Sequence, residues 1–284
     1  MHIKTFYDSD TGTFTYIVID ESTKKCAVID SVLNYEPNAA KITTQSADKV
    51  IAYIKDNNLE NDWLLETHIH ADHITGAFYL KEHIGGKTAI GTGIKEVLKT
   101  WVPLFDTSDD TPLTGEQFDE LFDDNHEFKI GNLDAKVIHT PGHTPACSTY
   151  IIEDSVFVGD TVFAPNLGTA RADFPGGSAR DLYHSIKRIY ELPDETVMYL
   201  CHDYPQGDDK PLAKIAVGEQ KANNIMLDEK TSLEDYVLKR ETRDKTLSVP
   251  RLLLPSIQTN MRLGNFGIKS ANGIQYIKIP INKI

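Results

Sequence analysis

Four short motifs, each placed directly after a predicted β-strand, constrain the fold of this 284-residue chain more than any other feature. The first, His68-Ile69-His70-Ala71-Asp72-His73, follows the apolar run Trp63-Leu64-Leu65. The others are Gly142-His143, Gly159-Asp160 and Cys201-His202. Loops at the ends of adjacent strands can converge, so ligands that are distant in sequence can share one ion. Because imidazole and carboxylate are ligands of transition metals, the sequence predicts a metal site where these loops meet.

Hydrophobic periodicity gives the surrounding elements. The first sixty residues are strand-rich, and a helix is predicted over 47–57, where Val50, Ile51 and Ile54 share one face. Further strands are predicted at 63–65, 135–138, 148–152, 156–158 and 197–200, and a further helix at 178–190. Less regular segments predict a helix starting near Ile74 and a short helix at 116–122, within an acidic surface excursion over 102–127. They also predict a charged helical stretch at 210–243 and a final strand at 274–279.

Composition argues against several classes of function. A formal net charge of −13 disfavours a nucleic-acid or anionic-membrane binder, because such binding needs a basic face. No run approaches the ~18 apolar residues of a membrane span, and the N-terminus lacks the pattern of a secretory signal. Three scattered cysteines do not suggest a disulfide framework. We therefore expect a cytoplasmic protein with no membrane or nucleic-acid partner.

Taken in order, the motif residues resemble the metallo-β-lactamase superfamily over roughly residues 1–205. The residues that carry this resemblance are His68, His70, Asp72, His73, His143, Asp160 and His202. The resemblance implies an α/β fold, namely an αββα sandwich with the metal between the two sheets. It also implies a catalytic domain at 1–205 and a C-terminal extension of helices and loops at 206–284, packed on that domain.

Within the superfamily, segments 140–144 and 158–160 resemble glyoxalase II and its relatives, the persulfide dioxygenases. Segments 67–76 and 168–177 favour the dioxygenases, the second through its Arg-x-Asp-Phe stretch. The tail over 250–262 is similar to a bacterial subgroup of β-lactamase-like hydrolases that the family links to sulfide detoxification. One departure is Thr169, which stands where some dioxygenases carry a cysteine, so no redox role of that cysteine can be transferred.

The resemblance implies one non-haem Fe(II) per chain, held by His68, His143 and Asp160. Two imidazoles and one carboxylate suit iron that activates oxygen. The expected reaction oxidises glutathione persulfide, or a related thiol persulfide, with O2 to sulfite and thiol. The remaining motif residues either orient ligands and water or complete a second metal site, as in a glyoxalase II-like thiolester hydrolase with Zn(II) or a mixed dinuclear centre. These residues are His70, Asp72, His73 and His202.

Three further residues are expected at the catalytic site. Arg171 and Asp173 are predicted to form an ion pair that shapes the pocket wall, in preference to contacting substrate. Tyr204 either donates a hydrogen bond to substrate or packs with its hydroxyl satisfied. Arg251 and Arg262 are candidates for substrate carboxylates, although a structural or solvated role is the preferred interpretation for each.

Other residues and functions carry weaker signals. Cys201 is interpreted as a buried cysteine at a strand end rather than a reactive thiol. Histidines without a partner pattern are expected to be structural or exposed; they are His2, His83, His126, His139 and His184. A non-catalytic metal-dependent sensor or scaffold is a third functional class, which the intact ligand set disfavours. The sequence does not determine the oligomeric state, and a homodimer stays open.

Overall fold

The structure of the chain is a computed structural model, which describes residues 1–283. Over these residues the strands are β1 (His2–Asp8), β2 (Thr13–Asp20), β3 (Lys25–Ile29), β4 (Val32–Glu36), β5 (Lys41–Thr43), β6 (Glu60–Leu65), β7 (Ile74–Thr75), β8 (Lys87–Gly91), β9 (Glu120–Phe122), β10 (Glu127–Ile130), β11 (Leu133–His139), β12 (Ser148–Ile152), β13 (Ser155–Phe157), β14 (Val197–Tyr199) and β15 (Lys214–Ala216). The helices are α1 (Gln45–Asp56), α2 (Ala77–Ile84), α3 (Ile94–Phe105), α4 (Ala179–Ile189), α5 (Val217–Asn223), α6 (Leu233–Asp244) and α7 (Leu253–Asn260).

Two six-stranded sheets form the centre of the molecule. The first has the order β1-β2-β3-β6-β8-β9 and the second the order β10-β11-β12-β13-β14-β15. Buried side chains of both sheets pack together in one cluster, in which Tyr16 and Ala89 of the first sheet meet Tyr150 and Phe157 of the second. The sheets therefore lie face to face, with an apolar layer between them.

Helices cover the outer faces of both sheets. Val50, Ile51 and Ile54 of α1 pack on Ile17 and other outward residues of the first sheet. On the second sheet, α4 contributes buried residues at the spacing of three and four that the sequence predicts, and α6 packs beside it. This arrangement is the αββα sandwich expected from the sequence, so the predicted fold class is confirmed.

Three local predictions were wrong, and one boundary was displaced. Residues 116–122 are not a helix: Glu120–Phe122 forms β9 beside β8, because the buried Phe122 packs against Trp63 and Phe128 between the sheets. The helix predicted to start near Ile74 is present as α2 and begins three residues later, while Ile74 itself lies in β7. The stretch 210–243 is divided into β15, α5 and α6, and residues 274–279 form no strand.

The segment after residue 205 is closely joined to the sandwich. Its strand β15 pairs antiparallel with β14 and forms an edge of the second sheet. Leu227 and Tyr236 are fully buried against that sheet and α4. The division at residue 205 stays a prediction. Within residues 1–283, no helix is both long enough and apolar enough to span a membrane.

Candidate metal centre

Four loops at the ends of β6, β11, β13 and β14 bring the predicted motifs together. His68, His143 and Asp160 are all buried, and one ligand atom from each lies within 4.8 Å of the others. Asp160 Oδ2 is 3.8 Å from His68 Nε2 and 3.7 Å from His143 Nε2. His68 follows a strand of the first sheet, whereas His143 and Asp160 follow strands of the second. The group therefore lies at one edge of the sandwich, where the two sheets meet.

A second group of side chains lies on the other side of Asp160. His202 Nε2 is 3.2 Å from Asp160 Oδ1 and 3.3 Å from Asp72 Oδ2. His73 Nδ1 is 3.4 Å from the other oxygen of Asp72. The two carboxylate oxygens of Asp160 therefore face different sets of residues.

Orphaned polar atoms indicate that the centre fits a metal ion. Among residues 1–283, several buried ligand atoms lack a hydrogen-bond partner; they are His68 Nε2, His73 Nε2, His202 Nε2, Asp72 Oδ2 and Asp160 Oδ1. Leaving buried polar atoms unsatisfied is costly, and native proteins usually avoid it. Lone pairs of imidazole and carboxylate that converge in this way suit a divalent transition metal.

His70 contacts two carboxylates that lie outside the four motifs. Its Nε2 is 3.0 Å from Asp30 Oδ1 and 3.3 Å from Glu66 Oε2. Its Nδ1 has no hydrogen-bond partner among the described residues. Burial lowers the pKa of His70, but Asp30 and Glu66 outweigh it and hold that pKa well above its usual value.

Sequence reasoning missed Asp30 and Glu66. Asp30 Oδ1 accepts from the Thr67 N–H and Oδ2 from the Thr67 hydroxyl, both at 2.8 Å. Both acids directly follow buried apolar strands, which is a signal that could have identified them. Both acids therefore orient the first motif. Asp30 binds Thr67, the residue before the motif, and both Asp30 and Glu66 contact the His70 imidazole.

The surroundings of His68 and Asp160 favour the ionisation states in which these side chains bind a metal, a neutral imidazole and an ionised carboxylate. Burial, together with the neighbouring His70, lowers the pKa of His68 well below its usual value, so its imidazole is neutral. Burial raises the pKa of Asp160, but His202 and His68 outweigh this and hold it well below its usual range. Burial also lowers the pKa of His202, yet Asp72 and Asp160 raise it to about 9.

A cavity of about 710 Å³ opens over Asp72, His143 and Asp160. Arg171 lies in its wall and donates from Nε and Nη2 to the two oxygens of Asp173, at 2.6 and 2.7 Å, so the expected ion pair is present. The carbonyl oxygen of Arg171 lies 2.8 Å from His143 Nδ1 and accepts its N–H, which orients the imidazole.

Other predicted residues are placed as follows. Tyr204 lines the cavity, with its ring nearly parallel to that of His202 at a centroid distance of 6.1 Å. Arg251 also lines the cavity. Arg262 lies elsewhere, buried and bonded through Nη1 to Asp110 at 3.1 Å, as its structural interpretation predicts. Cys201 is buried, and burial raises its thiol pKa well above the usual value.

The histidines expected to be structural lie outside this group. His139 Nε2 is 2.9 Å from the carbonyl oxygen of Phe122, and His83 Nδ1 is 2.7 Å from that of Tyr79. His126 stacks on the Phe122 ring. None of the clusters of possible metal ligands within residues 1–283 includes these side chains, or His2 and His184.

Comparisons with known proteins give the family of the chain. The sequence profile of the metallo-beta-lactamase superfamily matches residues 9–202. "Glyoxylase B2" of Dictyostelium discoideum is 51% identical over 282 residues, covering 99% of this chain and 97% of that protein. The human mitochondrial "Persulfide dioxygenase ETHE1" is 29% identical over 92% of this chain and 88% of its own length. The crystal structure of ETHE1 from Myxococcus xanthus superposes with a TM-score of 0.74 at 27% identity, covering 93% of this chain and all of that one.

Proposed function

The chain belongs to the metallo-β-lactamase superfamily, and from this premise we propose that it is a persulfide dioxygenase. The proposed substrates are a thiol persulfide and O2, and the proposed resident metal is one Fe(II) per chain. The balanced reaction is RSSH + O2 + H2O → RSH + SO3²⁻ + 2H⁺. The outer sulfur of the persulfide is oxidised by O2 to sulfite, the sulfur–sulfur bond breaks and the thiol is released.

One observation carries the proposal: His68, His143 and Asp160 each place one ligand atom within 4.8 Å of the others. Two imidazoles and one carboxylate, with the remaining positions open, form the ligand set of oxygen-activating non-haem iron. An Fe(II) ion held there would supply the redox chemistry that O2 activation needs. The likeness to human persulfide dioxygenase over 92% of this chain supports the same reaction.

Hydrogen bonds fix the two proposed histidine ligands. The Arg171 carbonyl oxygen accepts from His143 Nδ1, which leaves the Nε2 lone pair free to bind a metal. Thr67 donates its hydroxyl hydrogen to Asp30, so its oxygen accepts from His68 Nδ1 at 3.0 Å. Both imidazoles thus expose Nε2 as the donor atom.

The cavity above the centre supports an anionic thiol carrier as substrate. Arg171 and Arg240 are paired with Asp173 and Asp244. Among residues 1–283, the two other cavity-lining arginines have no carboxylate partner; they are Arg243 and Arg251. In a chain with a net charge of −13, unpaired guanidinium groups at the cavity favour a substrate with carboxylates, such as glutathione persulfide. Apolar side chains supply another part of the wall, among them Phe163, Leu167 and Met226.

A glyoxalase II-like thiolester hydrolase is the second candidate. The relative named "Glyoxylase B2" is 51% identical over nearly the whole chain. The position of Asp160 between two groups of ligands also suits a carboxylate that bridges two ions. In that reaction, Asp72, His73 and His202 would hold the second metal, and a hydroxide would attack the thiolester carbonyl.

Metal stoichiometry and oxygen uptake distinguish the two reactions. Protein purified anaerobically and loaded with Fe(II) is expected to bind about one iron per chain and to consume O2 when glutathione persulfide is added. Asp72→Ala is expected to keep that iron, whereas His143→Ala is expected to lose it. Two metals per chain, together with hydrolysis of lactoylglutathione and no oxygen uptake, would refute the dioxygenase and support the hydrolase.

A further inference from the structure

The last residue of α7, Asn260, binds the loop that carries the first histidine motif. Its side-chain Nδ2 donates to the carbonyl oxygens of His70 and His73, both at 2.8 Å. Its Oδ1 accepts from the backbone N–H of Thr75 at 2.9 Å. We propose that Asn260 is a positioning residue of the metal centre. From the C-terminal part of the chain, it fixes the backbone conformation of residues 66–73, which we call the ligand loop.

The ligand loop needs an external partner of this kind. Residues 66–73 form neither helix nor strand, so the loop has few backbone partners of its own. Buried carbonyl groups must nevertheless be paired. By holding two carbonyls three residues apart, the amide of Asn260 fixes the direction in which the His70 and His73 side chains leave the backbone. Asp72 lies between them and is fixed with them.

A chain of polar contacts continues from Asn260 into the centre. The residue it binds, Thr75, donates its hydroxyl to Glu66 Oε1 at 2.6 Å. The other oxygen of Glu66 lies 3.3 Å from His70 Nε2. Asn260 therefore acts on His70 both through the backbone and through the side chains of Thr75 and Glu66.

The helix that carries Asn260 is itself firmly held. Leu253, Ile257 and Met261 are buried in one apolar cluster with Ile69 and Ala71 of the ligand loop. This packing keeps the end of α7 against the loop, so that the Asn260 amide can meet all three backbone groups at once.

Gly264, the last residue of the turn that follows α7, shows how closely this segment approaches Thr75. Gly264 has φ +87°, and a Cβ atom there would lie 2.0 Å from the carbonyl oxygen of Thr75. Only glycine permits that contact in that conformation.

The superfamily profile ends at residue 202, so Asn260 completes the centre from outside the matched region. The ligand loop supplies one ligand, His68, in the proposed dioxygenase, and Asp72 and His73 as well in the hydrolase, so its position matters for either reaction.

Co(II) is a suitable probe, because its binding and visible spectrum report the centre without turnover. We expect Asn260→Ala to bind Co(II) about 10- to 100-fold more weakly, the loss that is usual when a partner of a metal ligand is removed. The d–d absorption bands of the loaded protein should also shift. Gln258→Ala is the matched control: Gln258 is a buried amide on the same helix, but it bonds to Leu254 and Lys278.

Thermal unfolding of the metal-free variants separates positioning from general stability. Gln258→Ala is expected to lower the unfolding temperature while keeping wild-type affinity and spectrum. Wild-type Co(II) affinity and spectrum in folded Asn260→Ala would overturn the proposal. Should that variant not fold, hydrogen exchange on the wild-type protein decides: the Thr75 amide should be protected to the level of the core, and fast exchange at that amide would equally overturn it.

Discussion

Arg262 and Arg251 lie eleven residues apart, but their surroundings give them opposite roles. Arg262 is 8% exposed and donates through Nη1 to Asp110 and to the Thr111 hydroxyl. Burial lowers the pKa of Arg262, although Asp110 partly offsets this, and the guanidinium remains charged. Arg251 is exposed, lines the cavity and has no carboxylate partner among the described residues.

At the scale of single residues, we therefore predict that Arg262→Ala destabilises the fold and Arg251→Ala impairs substrate binding. Removing Arg262 leaves Asp110 without its buried partner, which costs about 3 kcal/mol. Denaturant unfolding should show that loss for Arg262→Ala and a change below about 0.5 kcal/mol for Arg251→Ala. Steady-state kinetics should show a raised KM for Arg251→Ala. A raised KM for folded Arg262→Ala with unchanged stability would contradict this assignment.

At the scale of elements, the His143 loop is fixed by its contact with α4. Ser178, the N-cap of α4, accepts a hydrogen bond from the Asp181 N–H and donates its own backbone N–H to the Gly142 carbonyl oxygen at 2.8 Å. Gly142 has φ +143°, and a Cβ atom there would lie 2.4 Å from the Leu182 backbone. The helix and the metal loop can approach this closely only because residue 142 has no side chain.

We predict that Gly142→Ala displaces this loop and weakens metal binding at least tenfold, because a shift of the loop moves His143 away from Asp160. Gly207→Ala is the control, since Gly207 also has positive φ but has open space around its Cβ position. It should cost about 1 kcal/mol of stability and leave metal affinity unchanged. Equal metal affinities for the two variants, measured by chelator competition, would disprove the role of this contact.

Elements with clear periodicity could be predicted from the sequence, and elements set by distant packing could not. Val50, Ile51 and Ile54 predict α1 because their spacing follows the helix itself. The strand at Glu120–Phe122 has no such local signal, since Phe122 is held by aromatic rings of other strands. The position of the four motifs after strands likewise predicted that their ligand residues lie close together. The partnership of Asn260 with His70 spans 190 residues of chain and needed the structure.

At the scale of the whole molecule, the metal centre at the edge of the sandwich gathers buried acids and histidines whose charges depend on one another. Asp72 and Asp160 raise the pKa of His202, and Asp30 and Glu66 raise that of His70. The metal-free protein therefore keeps protons on these histidines that its unfolded chain releases near pH 6.5. Because their folded pKa values are raised, these groups stabilise the fold fully below pH 6.5 and lose that contribution as the pH rises.

We predict that the metal-free protein becomes less stable between pH 6.5 and 8.5. The pKa of His202 is about 9 in the folded state, and a shift of this size contributes on the order of 3 kcal/mol, most of which is lost by pH 8.5. Denaturant unfolding of protein treated with a chelator should show a decrease of about 2 kcal/mol over this interval. His202→Asn is the control, and its stability should depend less on pH. A wild-type stability that stays constant or rises toward pH 8.5 would contradict the buried proton on His202.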